Sequence, residues 1–164
     1  MRNGFAKKVA LGGMLAALAV TIMSVGGLIP VATYVSAVLC AILGCMVWRI
    51  CGGRIAWAWY GTVSVLSLLL SPDKESAAVY LFLGYYPIIK VFFDNCRFGF
   101  LLKLLYFNSS VTALYIVLIY LIGMEQIVTD YRALGMLGLI VMLILGNIAF
   151  LLLDHVLFRI SKKR

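Results

Sequence analysis

Charge is scarce in this chain and acid is scarcer: of 164 residues only 12% are charged, with six Asp or Glu against fourteen Lys or Arg. So little charge cannot keep a chain that is 65% hydrophobic in water, so a soluble globular domain is excluded and a polytopic membrane protein is expected. Histidine is limited to His155, beside Asp154. Adjacent residues point about 100° apart on a helix, so the two read as an interfacial pair satisfied by Arg159 or the headgroup region, not as a catalytic pair. Four cysteines, Cys40, Cys45, Cys51 and Cys96, have neither CxxC spacing nor a histidine nearby, which argues against a zinc or redox site. Reduced, small apolar filler is their expected role. HExxH, GxSxG and a phosphate-binding glycine loop with its lysine are all missing, so neither an enzyme nor a self-sufficient ATPase is expected, and no metal or cofactor. The net charge of +8 is scattered in small groups between apolar runs, which is a topology signal and not a nucleic-acid footprint.

What is abundant is apolar sequence long enough to span a bilayer. Apolar length and punctuation by Gly, Pro and charge give six spans, approximately 9–28, 32–50, 55–70, 77–93, 100–123 and 134–158, in one membrane domain covering residues 1–164. No polar, small-residue cleavage site follows the first run, so it reads as a permanent span and not a signal peptide. Gly84 and Pro87 interrupt the fourth run, and a kink or loosened backbone is expected there. Six spans put twelve of the fourteen basic residues on one side, and by the positive-inside rule that side, with both termini, is the cytoplasm of a multi-pass cell-membrane protein. The turn Arg49-ICGG-Arg54 is tight and basic, with Gly52 and Gly53 permitting the reversal. External connections carry acids, hydroxyls and aromatics: GGLIPVATY, SPDKESAAVY and GMEQIVTDYRAL.

No Asp or Glu falls in the middle of a span, so coupling to protons or sodium by this chain alone is not expected. The intramembrane polar groups are instead hydroxyls, amides and tyrosines, among them Ser64, Ser67, Asn108, Tyr115 and Asn147, which suit recognition of an uncharged molecule. Trp48, Trp57 and Trp59 read as an interfacial anchoring belt. Toward the external end Tyr34, Tyr80, Tyr85, Tyr86 and Tyr120, with Asp73, Glu75, Glu125 and Gln126, and within span six Asn147, are the candidates to line a cleft for a small, flat, polar molecule by stacking and hydrogen bonding. The GYYPIIK segment, Gly84 to Lys90, stands out without indicating a ligand.

The first span is unusually smooth. On a helix Ala6, Ala10, Gly13, Ala17 and Ser24 form one column, and Gly12, Ala16 and Ala19 the next. Small residues at this spacing let a second helix approach closely, either within the same bundle or from another protein. With six short spans and a cytoplasmic N-terminus, this pattern resembles the substrate-binding S-components of energy-coupling factor (ECF) vitamin transporters, whose first helix carries an AxxxA-type pattern that docks a coupling subunit. Ala6-xxx-Ala10 and Gly13-xxx-Ala17 stand in its place, with Gly12, Gly13 and Ala16 completing the face, although glycine departs from the strict alanine form. The resemblance implies capture of a vitamin or similar micronutrient from outside. It also implies partnership with a transmembrane coupling subunit and two cytoplasmic ATPases. A different class stays open: a non-transporting multi-span scaffold of the cell-envelope machinery, which would have the docking face but no small-molecule pocket.

Overall fold

The computed structural model describes residues 2–29, 32–120 and 125–162. Seven helices account for nearly all of them: α1 Arg2–Gly26, α2 Thr33–Cys51, α3 Gly53–Leu70, α4 Lys74–Leu83, α5 Tyr86–Asp94, α6 Gly99–Tyr120 and α7 Glu125–Lys162. There is no strand among the described residues. Among the described residues five segments are long and apolar enough to cross a membrane: Phe5–Gly26, Thr33–Cys51, Lys74–Asp94, Gly99–Leu118 and Leu143–Ile160. The third of these is α4 and α5 taken together. The span expected at 55–70 corresponds to α3, 18 residues long, which is not one of the five. Arg54, Trp57, Trp59, Tyr60, Thr62, Ser64 and Ser67 dilute its apolar character.

The joints follow from local chemistry. Gly52, at φ +95°, alone separates α2 from α3, a backbone conformation that a side chain would strain. Pro72 follows the end of α3, and Asp73 then caps α4, its Oδ1 accepting from the backbone N–H groups of Glu75 at 2.9 Å and Ser76 at 3.3 Å. The connection expected after span five is instead helical from Glu125 onward, so α7 runs 38 residues, about 57 Å at 1.5 Å per residue. No Pro or Gly interrupts residues 125–134, and an acid in the first turn suits a helix N-terminus.

Helix α2 is central, packing against α1, α3, α4, α5 and α7. Its inward face is a second stripe of small residues, Ser36, Ala37, Cys40, Ala41, Gly44 and Cys45, all buried, which lets its neighbours come close. A Cβ on Gly26 of α1 would lie 2.6 Å from the Ser36 Cβ, and one on Gly44 would lie 3.1 Å from the Trp59 ring. Hydroxyls link the helices here: Ser36 of α2 and Ser76 of α4 lie 2.8 Å apart, and Ser71, at the end of α3, donates its Oγ to the Met23 carbonyl of α1 at 3.3 Å. The main core joins Ala19, Met23, Cys40, Val63, Tyr80 and Leu118. A smaller one, Cys45, Tyr86, Phe150 and Leu157, ties α2 and α5 to α7.

Candidate functional site

The fourth apolar run is broken in the middle. Helix α4 ends at Leu83 and α5 begins at Tyr86; Pro87 has no N–H to continue the ladder. Gly84 is needed here because a Cβ would come within 2.4 Å of the Tyr80 carbonyl oxygen and 2.6 Å of its ring. Backbone carbonyls loosened by such a break must find partners when water is excluded. Here two neighbouring tyrosines provide them: Tyr60 Oη from α3 donates to the Leu81 carbonyl, and Tyr106 Oη from α6 donates to that of Phe82 at 3.0 Å.

Aromatic rings gather around the break. Trp57 and Tyr85 are near-parallel, 26° apart with centroids separated by 6.5 Å. Tyr60 stands at 83° to Trp57 and 61° to Tyr85, with centroids at 6.1 and 5.7 Å. Tyr106 meets Tyr85 edge-on at 5.5 Å and stacks on Tyr86 at the same distance. Beside this group Tyr80 is fully buried, and its hydroxyl and that of Ser67 have no hydrogen-bond partner among the described residues.

Below the break, Tyr86, Lys90 and Asp94 recur at i, i+4 and i+8 along α5 and so share one face. They meet Lys103 of α6 and Asp154 of α7. Lys90 and Lys103 are only 4% and 8% exposed. Both ammonium groups bond to Asp154, Lys103 at 3.0 Å, and both pair with Asp94, Lys90 at 3.7 Å. Tyr86 Oη donates to Asp154 Oδ1. Two lysines and two aspartates make a neutral quartet, the arrangement that permits such burial. Asp154 therefore engages Lys90, Lys103 and Tyr86, in place of the interfacial pairing expected with His155 and Arg159. His155 itself is exposed.

The residues expected to line one external cleft are distributed over several places. Tyr34 Oη donates to Glu75 Oε1 at 2.7 Å, bringing the start of α2 to the start of α4, next to the capping Asp73. Tyr80 and Tyr85 belong to the break, and Tyr86 to the quartet. Asn147 exchanges two amide hydrogen bonds with Asn108, each 3.2 Å, joining α7 to α6. The side chains of Tyr120, Glu125 and Gln126 lie outside the described residues. Between α1 and α2 is an apolar groove of about 330 Å³. Its hydroxyls are already occupied, Thr21 by the Ala17 carbonyl and Ser36 by Thr33 and Ser76.

The two small-residue columns of α1 have different surroundings. Gly12, Ala16 and Ala19 are buried, with Gly12 against Ile55 of α3. Ala6, Ala10, Gly13 and Ala17 are exposed, and nothing lies within 4 Å of where a Gly13 Cβ would be.

The chain matches no protein-family model, and no curated protein and no solved structure matches it. The quartet is hidden in the sequence because Lys90 and Lys103, taken singly, read as two of the twelve basic residues that set the topology. The i, i+4 spacing of Lys90 and Asp94 was the available signal.

Proposed function

We propose that this chain is the substrate-binding membrane subunit of an ECF-type transporter, capturing a vitamin-like micronutrient from outside for uptake driven by a coupling subunit and two ATPases. The observation that carries the reading is the outward column of α1. Its own bundle uses Gly12, Ala16 and Ala19, yet the adjacent Ala6, Ala10, Gly13 and Ala17 are equally small and uncovered. Lipid does not call for such smoothness, whereas a second helix approaching closely does. With α3 counted as a sixth span, both termini and most basic residues fall on the cytoplasmic side. The column then lies in the cytoplasmic half, where a coupling subunit would meet it. The acids of the quartet are neutralised by lysines, in keeping with a subunit that borrows its energy and does not couple to ions.

The test is co-purification of tagged chain with a coupling subunit and its ATPases, comparing wild type, Gly13→Ala and Gly13→Trp. Wild type and Gly13→Ala should retain the complex and Gly13→Trp should lose it while keeping the wild-type melting temperature. A Gly13→Trp chain that holds the complex in full overturns the reading, and so does a wild type that brings down only cell-envelope assembly proteins.

A further inference from the structure

From the geometry of the broken span we infer a ligand site at the α4–α5 break, walled by Trp57, Tyr60, Tyr85 and Tyr106, that takes a neutral, flat heteroaromatic molecule bearing both N–H and carbonyl or ring-nitrogen groups. The inference rests on the reading of the chain as a solute-binding subunit and places the solute. Interrupted membrane helices are where transporters expose backbone groups to substrate near the bilayer midplane. This break falls ten residues from either end of the Lys74–Asp94 segment.

Three independent features define the ligand chemistry. The first is shape: Trp57 and Tyr85 present near-parallel rings, and Tyr60 closes one side at a steep angle. Trp57, 48% exposed, is the outer wall and can turn without disturbing the core. A flat ring entering between them stacks on both faces. The second is hydrogen bonding. The Leu81 and Phe82 carbonyls are held by tyrosine hydroxyls, not by helix N–H groups, so a ligand N–H can take either place when the tyrosine turns away. The Tyr80 hydroxyl, buried beside Tyr60 and without a partner among the described residues, can donate to a carbonyl or ring nitrogen or accept an N–H. A buried hydroxyl left unpaired is costly, and a ligand that pairs it recovers that cost. The third is charge. The acids bordering the rings, Asp94 and Asp154, are each held by both Lys90 and Lys103, so no spare carboxylate awaits a cation and no spare ammonium an anion. That leaves a neutral ligand.

The full-length chain in detergent would be titrated with nicotinamide, thymine, adenine and lumichrome by isothermal calorimetry, using wild type, Trp57→Leu, Tyr85→Leu, Tyr80→Phe and Glu75→Gln. Trp57 and Tyr85 are not fully buried, and wild-type melting of these variants confirms intact folding. At least one probe should bind wild type. Trp57→Leu and Tyr85→Leu should each weaken it about five-fold or more, the range expected for loss of one aromatic stacking partner. Tyr80→Phe should weaken it several-fold, and Glu75→Gln should leave it unchanged. A probe that binds equally to the Trp57 and Tyr85 variants but fails with Glu75→Gln overturns this site and leaves the transporter reading intact, with the solute at the external Tyr34 and Glu75 pair. No binding of any probe to wild type overturns the ligand class. If the wild type then also fails to co-purify with a coupling subunit, the underlying reading falls with it.

Discussion

Replacing Asp154 by Asn tests the quartet that fastens α5, α6 and α7. The substitution is nearly isosteric, so it removes charge with little change of volume. In the wild type Asp154 accepts from Lys90, Lys103 and Tyr86. Without its charge, two lysines with side chains only 5% and 10% exposed share Asp94 alone, whose side chain is 35% exposed. Removing one partner of a buried ion pair costs about 3–5 kcal/mol, because the charge left behind stays desolvated. Since Asp94 remains, the lower end applies, ~3 kcal/mol, which for a chain of this size lowers the melting temperature by roughly 6–12 °C. The assay is fluorescence-monitored melting of the detergent-solubilised protein. The double variant Lys90→Met, Asp154→Leu removes one charge of each sign and leaves Lys103 paired with Asp94. It should recover most of the loss, since an apolar replacement of a whole buried pair is often neutral or better. An Asp154→Asn chain melting within about 2 °C of wild type would mean that the quartet does not hold these three helices together, as would a double variant no better than the single one.

Neighbouring glycines of α1 should behave oppositely: Gly12→Leu, pressed against Ile55, should cost about 1–3 kcal/mol in melting experiments as overpacking does, and Gly13→Leu should leave stability unchanged. Gly84→Ala should destabilise by a similar ~1–3 kcal/mol, because its Cβ would meet the Tyr80 carbonyl and ring; a neutral result would mean the break is not fixed by that contact. Asp73→Ala should cost ~1 kcal/mol through loss of the α4 cap, with Asp73→Asn close to wild type in the same assay. Asn147→Leu should cost about 0.6–2 kcal/mol by breaking the amide pair with Asn108, and Asn108→Leu in the same background should add little.

Element type and approximate extent were legible from the sequence because apolar length and glycine or proline punctuation act locally. The Gly52 reversal and the interruption between Gly84 and Pro87 are such local features, and both are found. The start of α7 was not legible: polar residues after Met124 read as a loop, but polarity alone does not stop a helix that lacks Gly or Pro. The site was less legible still, since it depends on which helices meet. Nothing in the sequence brings Asp154 to Lys90 across 64 positions, or directs the Tyr60 and Tyr106 hydroxyls to carbonyls of α4. Trp57 shows the same difficulty. As an isolated residue it reads as interfacial anchoring, and only the fold shows its ring beside Tyr60 and Tyr85. Small residues on α1 were visible as two columns, yet which column faced inward was decided by α2 and α3.

Native mass spectrometry of the purified full-length chain, released from detergent, separates a solute-capturing subunit from a scaffold. For a solute-capturing subunit the spectrum should hold the chain mass together with a bound, non-lipid molecule on the order of a few hundred daltons, lost in the Trp57→Leu, Tyr85→Leu double variant. A spectrum holding only the bare chain and lipid adducts, unchanged after incubation with the four heteroaromatic probes, would contradict solute capture.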